Sequence, residues 1–203
     1  MEIEKEKQNL REKIWKILEK KKIAIYPLPC FGRIPNFKGS DLSANLLATL
    51  PEWKRAKIIV ANPDFAQKPV RELALKERKI LIVATPRLKK GYLIINPKDV
   101  KGKEEKASTI VGSFKFGKPL KELIKPDLIV TGCVAVDKEG WRLGKGGGYG
   151  DKEIKKFQEK FGKILVTTTV HDLQIVENVP HDEKDTKVDY IVTPTKIIKC
   201  NKN

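Results

Sequence analysis

The chain has 203 residues, 40% of them hydrophobic, and 42 Lys and Arg against 26 Asp and Glu give a formal net charge of +16. That apolar content suffices for one substantial core, so a single domain over residues 1–203 is expected. No run approaches the roughly 18 uninterrupted apolar residues of a membrane span, and the charged opening MEIEKEKQNLREKIW is unlike a signal peptide, so a cytoplasmic protein with no membrane partner is expected.

The three cysteines, Cys30, Cys133 and Cys200, lack C-x-x-C spacing and read as buried small hydrophobes rather than zinc ligands or disulfide halves. The positive field would attract nucleotides, polyglutamylated cofactors or nucleic acid. Most lysines, however, alternate with glutamate on what read as solvated helix faces.

In chain order, residues 3–22 read as an amphipathic helix carrying Ile3, Leu10, Ile14, Ile17 and Leu18. The stretch from Tyr26 to Gly39 mixes prolines and glycines with apolar residues and predicts an ordered loop. Ser40 or Asp41 is then placed to cap a helix that runs to about Leu50 and ends at Pro51. Strand-like runs follow, alternating with helical segments: AKIIVANP, a helix after Lys68, KILIVATP, DLIVTGCVAVD, KILVTTTV and DYIVTPTKII. Continuous apolar runs rich in Val, Ile and Thr describe strands buried on both faces of a largely parallel sheet, so the expected class is α/β. The charged, aperiodic segment from Lys98 to Thr109 reads as an exposed loop.

The strongest local signal is D-K-E-G-W-R-L-G-K-G-G-G-Y-G-D-K-E, from Asp137 to Glu153, between a strand pattern and a helical one. Gly144, Gly146, Gly147, Gly148 and Gly150 allow positive φ and close approach to a ligand, and the free N–H groups at a helix start attract an anion. Arg142 and Lys145 add positive charge. Asp151, read as an exposed loop carboxylate, is suited to Mg²⁺ bridging phosphate oxygens. The loop therefore reads as a phosphate site rather than a plain turn with an N-capping aspartate. It is neither a Walker A loop nor a Rossmann fingerprint.

On these residues the chain resembles the 5-formyltetrahydrofolate cyclo-ligase family, whose usual loop is R-L-G-x-G-G-G-Y-Y-D-R against R-L-G-K-G-G-G-Y-G-D-K here. An N-terminal K-x-x-x-R, Lys7 and Arg11, and a C-terminal D-T-K-V-D-Y-I-V-T fall in family order. The segment V-H-D-L-Q-I-V and the wording after it look closest to the divergent methenyltetrahydrofolate synthetase domain-containing branch.

The resemblance implies a three-layer α/β/α domain. It implies ATP-dependent phosphorylation of the formyl oxygen of 5-formyltetrahydrofolate, attack of the other folate nitrogen on the activated carbon, and loss of phosphate to give 5,10-methenyltetrahydrofolate. ATP and Mg²⁺ are the implied cofactors, and a reduced folate or other pterin the implied small-molecule substrate. Arg142 and Lys145 would serve the chemistry. Lys7, Arg11, Gly144, Gly146, Gly147, Gly148, Tyr149, Gly150 and Lys152 would hold the nucleotide, Asp151 and Asp185 the metal, and Asp64 the substrate. Gly150 and Lys152 depart from the family loop's second tyrosine and closing arginine. His171 and His181 read as ordinary loop hydrogen bonders. The alternatives are a nucleic-acid-binding module, from the charge and the basic runs Lys20–Lys22 and Arg87–Lys90, and a nucleotide-binding protein without catalysis.

Overall fold

The computed structural model of the chain describes residues 2–201. The amphipathic N-terminal segment forms α1 (Glu2–Lys20), which buries Ile14, Trp15 and Leu18. The Pro/Gly-rich loop folds back on it, with the Trp15 indole donating to the Arg33 carbonyl at 3.0 Å and the Cys30 N–H donating to Glu19 at 2.6 Å.

α2 (Ser40–Leu47) opens from Gly39 at φ 87, and neither Ser40 nor Asp41 caps it through its side chain. Pro51 starts α3 (Pro51–Arg55) instead of only ending a helix, because the first helical position needs no N–H donor.

Next come β1 (Ile58–Ala61), α4 (Lys68–Lys76) and β2 (Ile80–Ala84). β3 (Tyr92–Ile95) runs antiparallel to β2. Lys98 to Thr109 is a correction to the expected exposed loop. It holds a 3₁₀ turn at Pro97–Val100 and the short helix α5 (Glu104–Ala107), and its two apolar residues, Val100 and Ala107, are fully buried. Elements this short expose most of their charged residues, which hides any periodicity. α6 (Ile110–Phe116) and the edge strand β4 (Lys118–Pro119) follow.

The run DLIVTGCVAVD is not one strand. It divides at Gly132 into β5 (Leu128–Thr131) of the main sheet and β6 (Ala135–Asp137) of a second sheet. β6 pairs with β7 (Arg142–Leu143), and Asp137 closes the hairpin by accepting the Glu139 and Trp141 N–H groups. After α7 (Tyr149–Phe161) and β8 (Leu165–Thr169), β9 (Ile175–Val176) completes the three-stranded sheet. The final apolar run is a hairpin, β10 (Tyr190–Val192) and β11 (Ile197–Lys199).

The main sheet has the order β11-β10-β8-β5-β1-β2-β3-β4; its five central strands are parallel, β11 and β3 run antiparallel to them, and β4 pairs antiparallel with β3. Alternate residues of the central strands feed opposite faces. Ile59, Leu128 and Val130 join the core under α2, α4 and α5, while Val60 and Ile129 join the core under α7. A third cluster seals α1 against the small sheet through Leu18, Val134 and Leu143. All three cysteines are buried, as expected. No helix among the described residues is long and apolar enough to cross a membrane.

Candidate active site

Because β2 lies on one side of β1 and β5 on the other, a crevice opens where the strand order reverses, beyond the carboxyl ends of β1 and β5. Asn62 locks that junction. Its Oδ1 accepts from the Gly132 N–H at 2.8 Å and the Thr131 hydroxyl at 2.9 Å, and its Nδ2 donates to Glu153 Oε1 at 2.9 Å. The crevice is a cleft of about 630 Å³ bounded by the segment after β1, the Arg33 and Arg87 loops, and the glycine loop with the start of α7.

The glycine loop proper runs from Gly144 to Gly148, and Tyr149 begins α7. Among the described residues, no N–H from Gly144 to Gly148 is committed to another protein group, so the amides are free for a ligand. Gly146 holds φ 115, outside the range of ordinary side chains, and Arg11 lies over it, its Nε donating to the Gly144 carbonyl at 2.8 Å. Lys145 and Tyr149 are exposed and line the cleft; Lys152 is also exposed and rests over the Tyr149 ring at 5.7 Å.

Arg142 does not stand on an exposed loop. It is a β7 residue, 2% exposed, with its guanidinium beneath the start of α7. Nη2 is 3.1 Å from Asp151 Oδ1, yet the alignment is not that of a hydrogen bond, and both Nε and Nη2 are buried without a hydrogen-bond acceptor. A Cβ on Gly150 would sit 2.5 Å from Nη2, so the glycine there is what makes room for this arginine.

Asp151 is likewise not an exposed carboxylate. Its side chain is 13% exposed, and Oδ1 accepts from the Thr186 N–H at 3.0 Å and the Thr186 hydroxyl at 2.8 Å. Lys7 donates to Asp185 Oδ2 at 2.6 Å and to Asp182 at 3.3 Å. Burial alone would lower the Lys7 ammonium, but the hydrogen bond and charge of Asp185, then those of Asp182, outweigh it and raise its pKa. Burial lowers that of the Arg11 guanidinium. Asp185 stands next to Thr186 in the chain, while Asp151 reaches Thr186 from the start of α7; Asp151 lines the cleft, whereas Asp185 lines a separate hollow with Trp141, Lys155 and Lys187. No group of three or more His, Cys, Asp or Glu side chains suited to a metal occurs among the described residues.

Two carboxyls face the cleft from its floor. Asp64 accepts the Gln67 N–H, and burial pushes its pKa up to about 6 against the charge of Arg71. Glu153, 2% exposed, is pushed by burial to about 7 despite the charge of Arg142 and the Asn62 hydrogen bond. Sequence reasoning passed over Glu153, Arg71 and Gly132. Glu153 looks like one more charge on a lysine-rich helix, and only its position facing the sheet distinguishes it. His171 caps a 3₁₀ turn and His181 bonds the Val179 carbonyl, as ordinary loop residues do.

Residues 3–194 match the 5-formyltetrahydrofolate cyclo-ligase family. The chain belongs to that family.

Within it, the chain is 40% identical over 204 residues to the methenyltetrahydrofolate synthase domain-containing protein of Mus musculus, covering 95% of this chain and 54% of that protein. The chain therefore spans about half the length of the curated relatives of this type that it matches. It is 31% identical over 170 residues to a probable 5-formyltetrahydrofolate cyclo-ligase of Schizosaccharomyces pombe, covering 74% of this chain and 81% of that one. The fold matches that of the 5,10-methenyltetrahydrofolate synthetase of Aquifex aeolicus with a TM-score of 0.63 at 24% identity, over 97% of this chain and 94% of that one. The α/β fold with its mostly parallel sheet is thus the cyclo-ligase fold.

Proposed function

We propose that the cleft converts a reduced, formylated pterin, in the family's form 5-formyltetrahydrofolate, to the 5,10-methenyl compound, with ATP cleaved to ADP and phosphate. One observation carries the reading: at the topological switch point, a loop of uncommitted amides, the exposed Lys145 and the buried Arg142 line one cleft, and the helix cation Arg11 braces that loop through the Gly144 carbonyl. Oriented N–H groups and fixed cations are what a transferring phosphoryl group requires.

In this reading the amides of Gly144, Gly146, Gly147, Gly148 and Gly150, with Arg11 and Lys145, hold the phosphates, and Arg142 meets the charge that develops on the transferring group. Lys7 orders the turn that carries Asp185. Tyr149 and Phe65, both partly exposed at the cleft, offer faces for planar rings, and Lys152 steadies Tyr149. Asp64 contacts the substrate.

The donor set fits Mg²⁺. Asp151 lines the cleft with one oxygen engaged within the protein and one left over, Asp185 stands behind it through Thr186, and this ion is commonly held by one or two carboxylates together with phosphates and water. When bound, it supplies neutralisation of phosphate charge. The phosphoryl group moves to the formyl oxygen, the other folate nitrogen, outside the pterin ring, attacks the activated carbon and loses its proton, and phosphate leaves. Enclosure by the Arg33 and Arg87 loops keeps water from the activated carbon.

The test is incubation with 5-formyltetrahydrofolate, ATP and Mg²⁺, following the absorbance of the methenyl product together with ADP release. Both signals are expected. Neither signal, from folded protein that binds ATP, would replace the enzyme with a non-catalytic nucleotide-binding protein.

A further inference from the structure

Glu153 is a carboxyl group that neither the glycine-loop motif nor the phosphate chemistry uses. It projects from the second turn of α7 into the floor of the cleft, buried to 2% exposure, beside Asn62 and opposite Asp64. Oε1 accepts from Asn62 Nδ2 at 2.9 Å. Oε2 makes no hydrogen bond within the protein and is not among the sealed, unpartnered atoms, so the little surface the residue keeps is turned to the cleft. Among the described residues Glu153 forms no ion pair; Arg142 lends it charge from a distance but engages Asp151.

A buried carboxyl with a single hydrogen bond is costly to the fold, and an apolar side chain would serve packing better. Orientation of Asn62 is the purely structural explanation, but an amide would do that equally well. The electrostatics of the cleft point elsewhere. Its walls carry the cations Arg33, Arg87, Arg142 and Lys145, with Asp151 beside Arg142, while Asn62, Asp64 and Glu153 place acceptors on the floor.

We propose that Glu153 is a specificity-determining residue whose open oxygen receives the N–H donor edge of the substrate's heteroaromatic ring, the 2-amino and adjacent ring N–H of a pterin. The oxygen left open beside the Asn62 bond accepts an N–H of such an amidine-like edge, and the charge of the carboxylate strengthens that bond. The ligand then lies with its donor edge on the floor and its reacting end toward the glycine loop. The proposal rests on the pterin reading given above and adds to it the group that selects the ring.

The test measures binding by calorimetry, without turnover, for wild type and Glu153→Gln with 5-formyltetrahydrofolate and, separately, with Mg²⁺ and ATP. Glutamine keeps an acceptor for Asn62 but can present a donor where the ring presents its own. At least a tenfold rise in Kd for 5-formyltetrahydrofolate is expected, with ATP affinity unchanged and a melting temperature no lower than wild type.

Unchanged pterin affinity in Glu153→Gln, or an equal loss for ATP, overturns the role of Glu153 and leaves the proposed reaction standing. Wild type that binds ATP but no 5-formyltetrahydrofolate overturns both. Should the glutamine variant fold poorly, Glu153→Asp draws the carboxylate back from the floor, and the same selective loss of pterin affinity is expected. Pterin binding as tight as wild type in that variant overturns the role.

Discussion

Lys7 Nζ lies 2.6 Å from Asp185 Oδ2, a contact that ties the first helix to a turn near the other end of the chain, with the two side chains only 5% and 12% exposed. Thr186, the next residue, holds Asp151 at the start of α7. Helix, turn and glycine loop are therefore one linked unit. Lys7→Met should leave Asp185 without its cation and cost on the order of 3 kcal/mol. Asp185→Asn in the same chain should recover part of that loss. Chemical denaturation of the two single variants and the double variant measures the coupling, and additive losses would show that the pair is not a unit.

Arg11 reaches the loop through Nε, an atom lysine lacks. Arg11→Lys should keep the helix and its charge but release the Gly144 carbonyl. Affinity for a non-hydrolysable ATP analogue is expected to fall about tenfold, as the loss of roughly 1.4 kcal/mol corresponds to. Calorimetry beside an unchanged melting temperature checks it.

Asp151 has two roles that substitution can separate. Asp151→Ala removes the acceptor for both Thr186 donors and should cost about 1–3 kcal/mol of stability as well as Mg²⁺-dependent ATP binding. Asp151→Asn retains an acceptor oxygen, so stability should largely return while Mg²⁺-dependent binding does not. Equal ATP affinity of wild type and Asp151→Asn in the presence of Mg²⁺ would remove the metal role.

Gly150→Ala should force the buried Arg142 guanidinium away from a Cβ placed 2.5 Å from Nη2. Overpacking of this kind costs about 1–3 kcal/mol. Turnover should fall with it, and Arg142→Lys, which shortens the obstruction, should relieve the stability loss without restoring turnover. Melting curves and product absorbance separate the two effects.

Asp64 gives the fold a pH dependence of definite sign. Its pKa is raised from 3.8 to about 6, so its neutral form suits the folded state; the associated stability is present below pH 3.8 and is lost as pH rises through 6. The melting temperature of wild type minus that of Asp64→Asn should therefore fall between pH 4 and pH 6 and level off above that window. A difference that stays flat or rises would reverse the assignment.

Some of this was open to reading along the chain. The strands at Ile58–Ala61, Ile80–Ala84 and Leu165–Thr169 declare themselves as continuous apolar runs, which only a sheet covered on both faces accommodates. The clustered glycines between a strand and a helix likewise announce a backbone kept bare for a ligand. The break at Gly132 does not show, because DLIVTGCVAVD is equally apolar on both sides of it. What divides it is Asn62, which takes the Gly132 N–H from a neighbouring strand end.

The sequence by itself determined the α/β class, the helical N-terminus, the glycine loop and, through its motifs, the family. Those are set by local pattern, by periodicity and by backbone freedom, which neighbours in the chain carry. Only the tertiary structure decided that Arg142 is buried, that Asp151 is held by Thr186, that Lys7 is held by Asp185, and that Glu153 looks into the cleft. Burial and charge pairing depend on groups brought together across the sheet from distant positions, and a string of residues carries no such distances.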